Sequence, residues 1–143
     1  MILKKYFIII LFVLFACNCF ALQSKPVPVI FDTDIGSDID DMWALVMLLN
    51  SPELDVKLIT TSTGDVAYRT KVVAKVLELA GRTDIPIGIG SSKAKGDVGF
   101  RQYQWVDGFD LAKYPGKIYQ NGVRAMVDTI MSSNQKIKLI SVG

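Results

Sequence analysis

Cysteine is almost missing from this 143-residue chain. Its two copies, Cys17 and Cys19, both lie near the amino terminus, inside a segment that reads as a removable address. Cleavage after Ala21 would leave a chain without a thiol, which excludes disulfides and cysteine metal sites and leaves stability to the core. An excess of charge is missing too. Lys4 and Lys5 account for the whole formal charge of +2; without them 14 basic residues face 14 acidic ones. That balance gives no support to a nucleic-acid partner or a basic membrane-binding face. There is no repeat, low-complexity tract or domain linker. The apolar run Tyr6 to Ala16 is shorter than the roughly 20 residues of a membrane-spanning helix. With two lysines before it and Cys19-Phe20-Ala21 after it, this run has the order of a secretory signal peptide. Residues 1–21 are therefore expected to be a signal and 22–143 one domain, exported to the periplasm or the exterior. Leu14-Phe15-Ala16-Cys17 resembles a lipoprotein cleavage box, so a lipid anchor at Cys17 is the alternative.

What the chain does have is an acidic run: Asp32-Thr33-Asp34-Ile35-Gly36-Ser37-Asp38-Ile39-Asp40-Asp41, directly after the apolar stretch Val27 to Phe31. Five carboxylates so close together repel one another. A hard divalent ion such as Ca²⁺ or Mg²⁺, which prefers oxygen ligands, would hold them. A solvated acidic turn is the plain alternative.

The rest alternates strand and helix. Strands are expected over Val27–Asp34, Val56–Ser62, Ile85–Ile89 and Ile137–Val142. Helices are expected over Asp40–Leu49, Ala67–Ala80 and Gly122–Ser132, with Gly81 closing the second. The alternation implies right-handed βαβ units: an α/β fold with an open parallel sheet and flanking helices. Between Ser91 and Asn121 runs a long glycine-bearing stretch with Phe100, Tyr103, Trp105, Phe109, Tyr114 and Tyr119. It is either a lid or substrate-stacking loop, or an excursion packed onto the body.

In open parallel sheets ligands bind beyond the carboxyl ends of the strands. Asp32 and Asp34 end the first strand, and a period of two sends both to one side. Asp38, Asp40 and Asp41 open the next helix, where the dipole favours negative charge. Asp65, the Gly88–Gly90 turn and Val142-Gly143 fall at the ends of the other strands. An EF-hand loop does not fit, because Ser37 and Trp43 stand where it needs glycine and a bidentate glutamate. A haloacid dehalogenase-type phosphatase also begins with Asp-x-Asp after a strand, with Asp32 as nucleophile and Asp34 as acid/base. That pattern leaves Asp38, Asp40 and Asp41 without a purpose.

The run Asp32 to Leu45 resembles the amino-terminal signature of the inosine/uridine-preferring nucleoside hydrolases. Ile59-Thr60-Thr61-Ser62-Thr63-Gly64-Asp65 and Ile85-Pro86-Ile87-Gly88-Ile89-Gly90 resemble that family's next two strand ends. The resemblance covers roughly Val29 to Gly143. It implies calcium-dependent hydrolysis of the N-glycosidic bond of ribonucleosides, giving ribose and free base. It implies Asp34 as general base and metal ligand, Asp41 as a second ligand, and the Val142 carbonyl as a main-chain ligand. Asp40 and Asp65 would face the substrate, while Asp32 and Asp38 would support the cluster. A homo-oligomer is also implied. Two departures stand out: Asp65 stands where the family often has asparagine, and the chain is short, so that the family's later part, with another Asp metal ligand and often a histidine that assists base departure, has no counterpart in these 143 residues, which include no histidine. Family members run to about twice this length, so the expectation is an amino-terminal portion, incomplete at the C-terminus. An exported, non-catalytic sugar- or metal-binding domain is the reading from another class.

Overall fold

A computed structural model describes residues 25–91 and 101–143. The expected signal segment, Cys17 included, lies outside the described residues, as does Phe100. The elements in chain order are β1 (Val27–Thr33), α1 (Asp40–Leu49), β2 (Leu54–Thr61), α2 (Val66–Leu79), β3 (Ile87–Gly88), α3 (Tyr103–Val106), a 3₁₀ turn at Leu111–Lys113, β4 (Ile118–Tyr119), α4 (Gly122–Ser132) and β5 (Lys138–Ser141). The five strands form one sheet in the order β4-β3-β2-β1-β5, and every neighbouring pair is parallel.

Alternation along β1 divides the core. Val29 and Phe31 point into the larger cluster, built with Leu45 and Leu48 of α1 and Val72, Val73, Val76 and Leu77 of α2. Ile30 points the other way, to Leu58 and to Ala125 of α4. Helices thus cover both faces, as a parallel sheet requires. Residue Gly81, at φ +65°, ends α2 in the left-handed region, and the Arg82 amide donates back to the Leu77 carbonyl. Where β3 meets α4 the two backbones touch: a Cβ on Gly88 would lie 2.7 Å from the Gly122 Cα. Only glycine permits that approach.

Three helices and four strands stand within a few residues of their expected places. The fifth strand is new. β4 lies inside the long stretch after β3 and consists of two residues, too few for any periodicity to register. Within its described part, residues 101–121, several apolar side chains pack onto the body. Val106 and Tyr114 are buried in the larger cluster, Phe109 and Leu111 lie against it, and Tyr119 joins the smaller one. The Lys75 ammonium sits 4.9 Å from the centre of the Trp105 ring and bonds the Trp105 carbonyl. Tyr103 stays exposed. Among the described residues no helix is long and apolar enough to cross a membrane.

The strand order fixes where a site can form. From β1 the crossovers step through β2 and β3 to β4; α4 then carries the chain back to β5, on the far side of β1. The order therefore reverses between β1 and β5. Their carboxyl ends form the topological switch point, where open α/β sheets bind ligands.

Candidate functional site

β1 ends at Thr33, so the two aspartates beside it go to different partners. Asp32, still in the strand, accepts from the Thr60 hydroxyl on β2 at 2.6 Å and faces the Ser141 hydroxyl on β5 at 3.5 Å. Asp34 lies past the last strand residue, where alternation no longer governs its direction. Its carboxylate meets Asp41 at the start of α1 and stands 3.8 Å from the Arg69 guanidinium. The residue between them, Thr33, turns toward α1: its buried hydroxyl donates to Asp41 at 2.7 Å and accepts from the Ile35 amide at 3.1 Å.

Asp41 is 2% exposed. Burial pushes its carboxyl up from 3.8 to about 6, and the contact with Asp34 and the charges of Asp34 and Asp40 push the same way; the Thr33 hydroxyl works against them. A buried acid crowded by acids lacks a counter-charge. Asp38, Asp40 and Asp41 each offer an oxygen, and these three atoms lie within 4.8 Å of one another. Two oxygens on one calcium ion can stand at most about 5 Å apart, twice the usual 2.3–2.6 Å bond. The donor set is all oxygen, its spacing suits a hard divalent cation, and the upward shift of Asp41 is what a cation would reverse.

The loop over this cluster is tightly specified. Gly36 sits at φ +107°, and a Cβ there would come 2.7 Å from the Tyr68 ring. The Tyr68 hydroxyl donates to the Gly36 carbonyl at 3.0 Å and accepts from the Gln102 amide at 3.0 Å, tying the loop to the segment after β3. Arg69, 1% exposed, donates through Nη1 to the Ile35 carbonyl at 2.8 Å and to the Ser37 hydroxyl at 3.2 Å. Through Nε it donates to the Thr63 carbonyl at 2.7 Å.

The remaining expected residues fall as follows. Asp65 caps α2, accepting from the Tyr68 amide at 2.9 Å, so one of its oxygens serves the helix. The Val142 amide donates to the Asp32 carbonyl at 3.0 Å, extending the β1–β5 pairing to the rim. Gly143 lies against Asp34: a Cβ built on it would be 2.8 Å from the Asp34 amide and 3.0 Å from the Ser62 hydroxyl. The Ser62 hydroxyl oxygen is buried with no hydrogen-bond partner among the described residues, while the Ser62 amide donates to the Thr33 carbonyl at 2.9 Å.

Thr33, Thr60, Tyr68 and Arg69 were not expected from the sequence. For three of them an unremarkable hydroxyl only acquires a role through a distant partner. Arg69 did leave a signal. It falls on the apolar stripe of α2 with Val72, Val73 and Val76, and a cation on a core-facing stripe demands a buried partner.

The model of the inosine-uridine preferring nucleoside hydrolase family matches residues 29–143. The chain is 44% identical over 125 residues to the probable uridine nucleosidase 2 of Arabidopsis thaliana, covering 80% of this chain and 38% of that one. It is 33% identical over 124 residues to the pyrimidine-specific ribonucleoside hydrolase RihA of Escherichia coli O1:K1, covering 81% and 39%. Among solved structures, the plant nucleoside hydrolase PpNRh1 superposes with a TM-score of 0.63 at 26% identity, over 82% of this chain and 40% of that one. The chain spans about two-fifths of the length of these relatives.

Proposed function

The chain belongs to the inosine-uridine preferring nucleoside hydrolase family, and from that premise we propose that it contributes the acid cluster by which a ribonucleoside is hydrolysed to ribose and free base. The observation that carries this reading is Asp41 at the switch point between β1 and β5, meeting Asp34 on one side and the oxygens of Asp38 and Asp40 on the other.

In this reading Asp34, Asp41 and the Val142 carbonyl would hold a calcium ion. Bound there, the ion would supply electrostatic polarisation of water and of the sugar hydroxyls. Asp34 takes the proton of the attacking water as the C–N bond breaks. Its place past the end of β1, a quarter exposed at the side chain, leaves it open to solvent. Asp41 stays in the floor, aimed by the Thr33 hydroxyl. Asp40, exposed at the start of α1, hydrogen-bonds a ribose hydroxyl, and Asp65 faces the substrate with the oxygen its helix leaves over. The carboxylates also stabilise the positive charge that grows on the sugar ring in the transition state. No covalent nucleophile is needed. Asp32 suits a supporting role, since one oxygen accepts from Thr60 and the other faces Ser141; the phosphatase reading would need that same carboxylate free to attack.

The relatives are named for uridine and for pyrimidine ribonucleosides, so uridine is the first substrate to try, with inosine beside it. A polypeptide in which this chain continues to family length is expected to release ribose, read as reducing sugar, with Ca²⁺ present, and to stop on chelation. A folded protein that binds calcium yet releases none would refute the hydrolase reading. Export through residues 1–21 belongs to the same proposal. The mass of the secreted protein should lack those residues, or carry a lipid on Cys17; a mass that retains them unmodified rules out both routes.

A further inference from the structure

We propose that Arg69 is the positioning residue for Asp34, fixing the direction of that carboxylate and thereby the cluster's affinity for its cation; this rests on reading the cluster as the metal centre. A guanidinium buried on the core stripe of a helix is costly unless its charge is met. Nε and Nη1 have three acceptors, the Thr63 and Ile35 carbonyls and the Ser37 hydroxyl. All three are neutral, and a neutral donor could serve them. The charge is met by Asp34, at 3.8 Å from Nη2. Nη2 is buried and makes no hydrogen bond among the described residues, so it remains available to the carboxylate.

The three acceptors say what is being held. Ile35 and Ser37 follow Asp34 in the chain, so Nη1 grips the loop just beyond it. The Tyr68 hydroxyl takes the Gly36 carbonyl between them. Two consecutive residues of α2 thus hold three consecutive residues of the loop. The third acceptor, Thr63, is a β-branched residue at φ +59°, a conformation that costs energy and persists only when neighbours enforce it. The 2.7 Å bond from Nε to its carbonyl is one such enforcement. Arg69 therefore joins the loop after β1 to the loop after β2. Asp34 is drawn toward Arg69 on one hand and pressed against Asp41 on the other.

A bystander cation and a positioning cation predict opposite signs. Removing a positive charge near an acid cluster strengthens calcium binding by simple electrostatics. Removing the group that aims a ligand weakens it, by 10- to 100-fold in comparable cases. Arg69→Gln and Arg69→Lys, in the family-length polypeptide, separate the two by calorimetric titration with Ca²⁺ and by kinetics on uridine at saturating Ca²⁺. The expected result is affinity at least ~10-fold weaker in both variants, since lysine keeps the charge but not the fork, with kcat lowered and KM little changed. Calcium affinity equal to or tighter than the parent's, in either folded variant, overturns the proposal. If Arg69→Gln does not fold by circular dichroism, Arg69→Lys decides alone. A parent that binds calcium without hydrolysing uridine or inosine sinks the hydrolase reading but leaves the titration decisive. A parent that binds no calcium refutes the metal centre and this inference with it.

Discussion

Asp34→Asn is expected to lower kcat for uridine hydrolysis by about 10³-fold in a family-length polypeptide, measured at saturating Ca²⁺. A positioned general base contributes roughly 10²–10⁴-fold, and an amide of the same shape cannot take the proton. Weaker cation binding follows as well, because a neutral amide oxygen replaces a charged one; the saturating calcium separates that effect from the loss of the base. The change also leaves the buried Arg69 guanidinium without a charged partner, so the variant should be less stable than the parent, and turnover is compared on protein shown to be folded by circular dichroism. The path of the loop should survive, because Asp34 lies outside the strand and the Ile35 and Gly36 carbonyls on either side of the turn keep their bonds from Arg69 and Tyr68. A variant that turns over within tenfold of the parent would remove Asp34 from the role of base.

Asp41→Asn is expected to separate stability from calcium response. Burial first, and then the neighbouring acids, hold the Asp41 carboxyl at about 6 against 3.8 in the unfolded chain. The folded, metal-free protein therefore holds this proton more tightly than the unfolded chain does. Linkage then gives the sign. The stabilisation from this group is fully present below about pH 4 and is lost as pH rises through about 6, a difference on the order of 3 kcal/mol. A cation takes the place of the proton, so calcium should raise the melting temperature strongly at pH 7.5 and little at pH 5. In Asp41→Asn the amide oxygen can still accept from Thr33, and no proton is exchanged. The metal-free variant should be at least as stable as the parent at pH 7.5. Its affinity for calcium should fall by on the order of 100-fold, as loss of a charged oxygen ligand implies. Melting curves across pH with and without Ca²⁺ check both halves. An equal calcium-induced shift in parent and variant, or in the parent at both pH values, would show that Asp41 does not hold the ion.

The same residue marks the limit of what could be read along the chain. Asp41 stands out in the sequence as one acid among five, and nothing local says that it alone is buried. Its burial follows from the seating of α1 against the sheet, with Leu45 and Leu48 on the same face. Asp32 and Asp34 look equivalent in the sequence, two acids with a single residue between them. They part because the strand hydrogen bonding stops at Thr33, between them. The aromatics after β3 could have been a lid or packing. Tyr114 and Phe109 took the second course, packing with the cluster that α1 and α2 build on the sheet.

The alternating elements were legible along the chain, because periodicities of 2 and 3.6 are local, and so was the acid cluster, because charges adjacent in the chain cannot avoid one another. Its glycine at position 36 marked the turn for the same local reason. It took the assembled sheet to return β5 to the far side of β1, which makes a crevice at the end of that strand. Only packing brought Arg69, 35 residues from Asp34 in the chain, within reach of its carboxylate. Strand order and the pairing of a buried charge depend on contacts between distant segments, and those exist only when the whole sheet and its helices have closed on one another.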